Sequence, residues 1–412
     1  MPRYQYIVET LSPIHIGTGE TMLPIEFQIS KDARQMFVPE LDRVFSKYPR
    51  EVDHFSRQLK NLQPNKISTT TLDELLKIEI DKDDEVLKYK TYRPEKENNY
   101  GKFGLDKLKY QLSHQSNSNR AIEVRLATKT PDYKVYIPAT SIKGALRTAW
   151  AYANVDESLL RKIEESASRN PEEASRYIQD IFQGKERQAN YDLFRVLQLS
   201  DTEAKLAQEV LYVVAIRVLS AGVKSSDQMA GAKWKNYWIF CEAIAIKRKY
   251  EGTLFFQDEL LKNDIASKAL GWKESQKKFT LEALCKAVND FSQKVCEWES
   301  RYFSRIQNKP DNPDNVELKS ILKFYEELKK DIQKADKNTC FLSIGYGSGW
   351  HKMTVGMLLE EKSKRFAETR RALKLADRYL DFEYPKSRKL IMISDTKAYP
   401  LGWIKLQFNQ LK

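Results

Sequence analysis

The stretch Tyr136-Ile137-Pro138-Ala139-Thr140-Ser141-Ile142-Lys143-Gly144-Ala145-Leu146-Arg147 constrains the fold of this chain more than any other. A β-prone run meets a proline and then gives way to helix-forming residues, so a strand must pass almost directly into a helix, with Thr140 or Ser141 as the expected N-cap. Such an opening turn leaves backbone N–H groups free at the positive end of the helix dipole, which suits an anion. Far along the chain, Ser343-Ile344-Gly345-Tyr346-Gly347-Ser348-Gly349-Trp350 forms a glycine-rich loop with a basic, aromatic exit. Together the two stretches suggest a grip on a phosphate backbone rather than chemistry on a small molecule.

Charge points the same way. Lys and Arg number 69 against 57 Asp and Glu, a net +12 over 412 residues, which favours a polyanionic partner, nucleic acid first among them. A surplus spread evenly over a solvated surface is the plainer alternative. A length of 412 residues implies roughly two or three domains, and two are expected, dividing at 205/206. Cys241, Cys285, Cys296 and Cys340 are far apart, with no histidine at ligand spacing, so they read as reduced core thiols rather than a zinc site or disulfide framework. The N-terminus lacks an apolar leader and no stretch approaches a membrane span, so a cytoplasmic protein without a membrane partner is expected.

Periodicity predicts a mixed chain. A first strand is expected over Tyr6 to Ile16, then a hairpin of Ile25 to Ile29 and Gln35 to Val38, and a polar stretch from Asn61 to Arg120 ending in a loop at Ser113 to Arg120. After the helix beginning near Ile142, Glu157 to Phe182 reads as a charged helical insertion. Strands follow at Leu193 to Ser200, Val210 to Leu219, Tyr237 to Ile246 and Thr253 to Gln257, then a helical insertion over about 258–337. A strand at Cys340 to Ile344, a helix from about Val355 to Tyr379 and a closing hairpin of Lys389 to Ser394 with Leu401 to Phe408 complete the chain. Ile16-Gly17-Thr18-Gly19 faintly echoes Ile344-Gly345-Tyr346-Gly347, a weak sign of duplication.

Leu11-Ser12-Pro13-Ile14-His15-Ile16-Gly17-Thr18-Gly19-Glu20, the Tyr136 to Thr148 stretch, Leu199-Ser200-Asp201, Gly345-Tyr346-Gly347-Ser348-Gly349 and Pro400-Leu401-Gly402-Trp403 occur in this order along the whole chain. That combination resembles the RAMP superfamily of CRISPR-associated proteins, and within it the fifth-subunit family of the type III-A Csm effector complex. The resemblance implies an α+β architecture of two ferredoxin-like, RRM-related domains with antiparallel sheets and helical insertions. It further implies a subunit that caps the 3′ end of the CRISPR RNA, packs on the repeated backbone subunit and assists guide maturation by engaging cellular nucleases. Ala139-Thr140 stands where the family often has Gly-Ser, a departure that leaves capping hydroxyls in place.

The candidate RNA-binding residues are Ser141, Lys143, Gly144 and Arg147 in the first stretch, and Gly345, Gly347, Ser348, Gly349, Trp350 and Lys352 in the second. Lys143 and Arg147, at i and i+4, share a helix face and can reach neighbouring phosphates, while Gly144 permits close approach of a backbone. A solvated cationic stripe with Gly144 at a packing position is the competing reading, and the resemblance favours RNA. The loop glycines can aim N–H groups at phosphate oxygens. Trp350 can stack on a base or serve the core. The glycine spacing fits neither the dinucleotide fingerprint nor the P-loop, so no cofactor is expected.

Catalysis is not expected. The histidines are His15, His54, His114 and His351, none in a recognisable metal or catalytic pattern. His15, between Ile14 and Ile16, reads as a hydrogen-bonded structural residue, although a metal-independent RNA-processing endoribonuclease using it as general base is the main competitor. A protein–protein adaptor without RNA contact is another. The acidic run Asp81, Asp83, Asp84 and Glu85 lacks the glycine of a calcium loop, so no metal is expected.

Overall fold

A computed structural model describes residues 2–67, 69–76, 78–80, 84–93, 100–114, 121–223, 229–307, 317–375 and 384–411. The run 115–120 and Asp81 to Asp83 lie outside them.

Two sheets organise the molecule. In the first, the order across the sheet is Thr339–Ser343, Trp403–Gln410, Arg3–Thr10, Lys249–Phe256 and Leu197–Leu199, with every neighbouring pair antiparallel. Its strands obey a period of two: Tyr6, Val8 and Thr10 are buried in one, and Ile404, Leu406 and Phe408 in another. The helices Ala139–Asn154 and Leu281–Gln307 pack on each other and against Thr339–Ser343. Setting that added edge strand aside, chain order and sheet order together give a split βαββαβ unit.

The second sheet runs Ala398–Tyr399, Ser387–Met392, Leu211–Val223, Ile239–Ile244, Val124–Ala127 and Gly17–Met22, with Met229–Trp234 hairpinned onto Leu211–Val223. Residues 211–220 of the Leu211–Val223 strand are buried on both faces. Val213 and Ala215 meet Leu105 and Leu108 of the helix Tyr100–His114, while Tyr212, Val214 and Ile216 face a separate apolar cluster. One pair departs from the expected antiparallel rule, because Val124–Ala127 and Ile239–Ile244 run parallel. A parallel pair requires a long crossover, and the connection containing the Ala139–Asn154 helix supplies it.

Several expectations are corrected by these pairings. Arg3–Thr10 lies between strands from beyond residue 206, and Gly17–Met22 and Val124–Ala127 share a sheet with Leu211–Val223, so the sheets cut across the division at 205/206. Leu281–Gln307 is a core layer rather than an insertion, with Leu284, Val288 and Val295 fully buried. Leu160, Ile163 and Phe182 likewise tie the charged 157–182 segment to the main core. The polar 61–120 region holds the buried helix Tyr100–His114. Gly356–Lys362 and Phe366–Ala372 replace one long helix, whose expected end falls outside the described residues.

The chain crosses between the two sheets twice in a way that sequence did not show. The first strand stops at Thr10, and Ile14 then bridges Ile244 of the second sheet. The expected C-terminal hairpin is absent because Ser387–Met392 belongs to the second sheet and Trp403–Gln410 to the first. The two crossovers bind each other: Leu11 N donates to Trp403 O at 2.9 Å, Gly402 N to Pro13 O at 2.9 Å, and Trp403 N to Ser12 Oγ at 2.9 Å.

Candidate nucleic-acid interface

Where the crossovers meet, a cleft of about 840 Å³ opens. Its walls are the 15–21 segment, the Ser141 and Gly144 face of the Ala139–Asn154 helix, Glu123, Arg125 and Leu126 in and beside the Val124–Ala127 strand, and the glycine loop with Ser348 and Lys352. The two stretches singled out in the sequence thus face one cavity. The helix is capped from outside itself: Pro138 occupies the N-cap without a side-chain bond, and Asp201 Oδ1 accepts from Ala139 N at 2.7 Å. That corrects the expectation of a Thr140 or Ser141 cap and gives the Leu199-Ser200-Asp201 motif a role.

Gly144 settles an ambiguity. A Cβ built there meets nothing within 4 Å, so the glycine is not a helix-packing position and the helix surface beside it is open to the cleft. Gly345 behaves oppositely. Its φ is 74°, and a Cβ would lie 2.3 Å from His15 O, which accepts from Tyr346 N at 2.8 Å. That loop N–H therefore fastens the loop to the N-terminal turn instead of pointing at a phosphate. Gly347 packs against Leu401, while Gly349 stands in open space. Ser348 Oγ donates to Gly345 O at 2.8 Å.

Lys143 and Arg147 are not in the cleft. Lys143 Nζ donates to Leu197 O at 2.8 Å, and burial lowers its pKa. Arg147 pairs with Asp192 at 2.7 Å, donates to Gln179 and lies 3.6 Å from the Phe182 ring centroid. The helix turns this cationic face inward over the 180–197 segment, so both side chains are spent on tertiary structure. Trp350 is half-buried, edge-on to Tyr384 at 5.3 Å and filling the space above Gly356. It lines a smaller pocket of about 220 Å³ behind the glycine loop, together with Gly347, Gly349 and His351. Lys352 reaches both cavities and is buried, its pKa lowered by that burial.

Besides Lys352, Arg125 lines the cleft and was not among the expected contacts, and Lys389 lines the pocket behind the glycine loop. Arg125 lies 5.0 Å and Lys389 4.0 Å from the Tyr346 ring centroid, so two cations from different strands flank the loop aromatic. Burial and the nearby Arg125 charge lower the Lys389 pKa. Among the described residues neither has a carboxylate partner within ion-pair distance, while Glu20 and Glu123 add negative charge at the cleft wall. Strand alternation was the available signal: Arg125 follows buried Val124, and Lys389 sits between buried Arg388 and Leu390. His15 lies in the cleft wall, its Nδ1 2.7 Å from Glu242 O and its ring edge-on to Tyr346 at 5.7 Å. Burial lowers its pKa, so the ring is neutral at pH 7.

Glu242 is completely buried and anchors this corner. It accepts from Tyr89 Oη at 2.7 Å and Ala127 N at 2.8 Å and pairs with Lys129. Among the described residues no group of three or more His, Cys, Asp and Glu side chains could hold a metal ion, and the four cysteines are buried free thiols. No helix among them is long and apolar enough to cross a membrane.

Fold and cleft together define an α+β protein with two interlocked sheets and a glycine-lined, cation-flanked groove at their crossover. The RAMP superfamily profile matches residues 7–352, and the chain belongs to that superfamily. It is similar to the CRISPR system Cms protein Csm5 of Methanocaldococcus jannaschii, with 25% identity, covering 97% of this chain and 87% of that protein. Among solved structures it resembles T. onnurineus Csm5 at a TM-score of 0.61 and 18% identity, covering 97% of this chain and 99% of the other. It also resembles a chain of a Csm-crRNA-target RNA ternary complex of a type III-A CRISPR-Cas system, at a TM-score of 0.60 and 18% identity, covering 98% and 100%.

Proposed function

We propose that this chain is a non-catalytic RNA-binding subunit of a type III-A CRISPR effector complex, acting in the cytoplasm. On this reading it caps the 3′ end of the CRISPR RNA, packs on the last copy of the repeated backbone subunit and assists maturation by engaging cellular nucleases. Its two sheets then correspond to two ferredoxin-like units, the seven-stranded one remodelled by its parallel pair. The similarity to Csm5 proteins supports the assignment to the complex. One observation carries the RNA contact: the open Gly144 surface of the helix shares with Ser348 and Lys352 the walls of a cleft of about 840 Å³. A cleft that must accept any guide should read backbone and shape, because base contacts would restrict the sequence.

Photocrosslinking in the purified complex tests this reading. A photoreactive residue at Met353, which is exposed at the cleft mouth, should crosslink to the 3′ region of the guide. Crosslinks confined to the 5′ end would overturn it. A second reading is favoured by His15, whose ring lines the cleft as a neutral base: a metal-independent endoribonuclease acting on precursor RNA.

A further inference from the structure

His15 has two ring nitrogens in different situations. Glu242 O can only accept, so Nδ1 at 2.7 Å must be the donor, and in the neutral ring Nε2 then carries a lone pair. The backbone fixes this orientation, because Ile14 exchanges both main-chain hydrogen bonds with Ile244, at 3.1 and 2.7 Å, two residues from Glu242. His15 lines the cleft with only 4% of its surface exposed. Gly17 completes the arrangement. Its backbone conformation is ordinary, so no left-handed φ demands a glycine; instead, a Cβ there would stand 2.8 Å from Nε2. The missing side chain keeps the acceptor nitrogen uncovered.

An uncharged acceptor in a groove built for a polyanion is mismatched to phosphate oxygens, which are acceptors too. Its natural partner is a hydroxyl group that lies between successive phosphates. We infer that His15 Nε2 accepts a hydrogen bond from a ribose 2′-hydroxyl, so that the cleft selects an RNA backbone over a DNA backbone. The inference rests on the RNA-binding reading above and adds to it the chemical feature by which RNA is recognised. Arg125 borders the same cleft and holds a phosphate, leaving His15 to read the sugar.

Equilibrium binding of the full chain to fluorescent oligouridines of one length tests this, using ribose, deoxyribose and 2′-fluororibose sugars. The fluoro sugar keeps the ribose pucker and cannot donate. The wild-type chain should bind the ribose form roughly tenfold more tightly than either of the others. Gly17→Ala and His15→Ala should each abolish that gap by weakening only the ribose form. Gly17→Ala retains the imidazole while crowding Nε2, so it remains informative if His15→Ala misfolds, and circular dichroism checks both. Acidification should also close the gap, as protonation turns Nε2 into a donor. The groups facing the ring are Glu242, Arg125, Lys129 and Tyr346, and the first three raise, lower and lower its pKa respectively. Equal binding of ribose and fluoro forms, or a gap that survives both substitutions, overturns the inference while leaving RNA binding intact. No binding of any oligouridine overturns the RNA-binding reading itself, and this inference with it.

Discussion

Arg388 Nε lies 2.8 and 2.9 Å from the two carboxylate oxygens of Glu299, joining a strand of the seven-stranded sheet to the helix that covers the five-stranded one. Both side chains are buried, Glu299 to 3% exposure. His351 Nδ1 stands 3.9 Å from the same carboxylate. The wall behind the glycine loop is therefore a buried charge cluster.

Removing one partner of a buried ion pair strands the other in a medium that solvates it poorly. Glu299→Ala should lower unfolding free energy by about 3–5 kcal/mol, read from the urea midpoint. A loss below about 1 kcal/mol would show that the pair contributes little to the junction.

The same carboxylate makes stability depend on acid. Burial would raise its pKa, but the charges of Arg388, Lys352 and His351 outweigh it and hold the group at about 2, against an ordinary 4.5. A depressed folded-state pKa contributes stability above the unfolded value that disappears as pH falls through 4.5 towards 2. Thermal melts of Glu299→Gln and the wild-type chain should converge across that window. A constant gap would assign the acid response to other groups.

Gly144 separates folding from binding. Gly144→Ala should stabilise the helix by up to ~1 kcal/mol, since nothing blocks a methyl group there. Gly144→Glu should fold equally well and weaken RNA binding by on the order of tenfold, through bulk and like charge in the groove. RNA affinity untouched by Gly144→Glu would remove this helix face from the interface.

Salt dependence sorts the cations. Arg125→Ala with Lys389→Ala should flatten the slope of log affinity against log salt by about two, if each contacts a phosphate. Lys143→Ala should leave it unchanged, and Arg147→Ala should instead lower stability by about 1–3 kcal/mol through loss of the Asp192 pair. A flattened slope in Lys143→Ala would mean that its bond to Leu197 O opens on binding.

Incubation with repeat-containing precursor RNA without metal tests the non-catalytic reading. The RNA should remain intact on denaturing gels. Specific cleavage that vanishes in His15→Ala would make the chain an endoribonuclease.

Local pattern carried much of the secondary structure, because alternation in Trp403–Gln410 and the strand-to-helix switch at Pro138 depend on neighbours in the chain. It also singled out the glycine loop and the helix opening, which the fold brings to one cavity. It misjudged Lys143 and Arg147, since i, i+4 spacing shows that two side chains share a face and says nothing of what that face meets. Here it meets Leu197 O and Asp192. Arg125 and Lys389 escaped notice because they lie in separate strands and acquire meaning only beside Tyr346.

Sequence alone was enough for the mixed α+β composition, the superfamily and two of the stretches that line the cleft. Tertiary structure alone decided that the N-terminal and C-terminal segments cross between sheets side by side, through Leu11 N to Trp403 O and Gly402 N to Pro13 O. Those bonds join main-chain atoms, which carry no residue-specific signature, across nearly the full length of the chain. The cleft, with His15 in its wall, opens where those segments cross, while Lys143 and Arg147 are half-buried against the 179–197 segment.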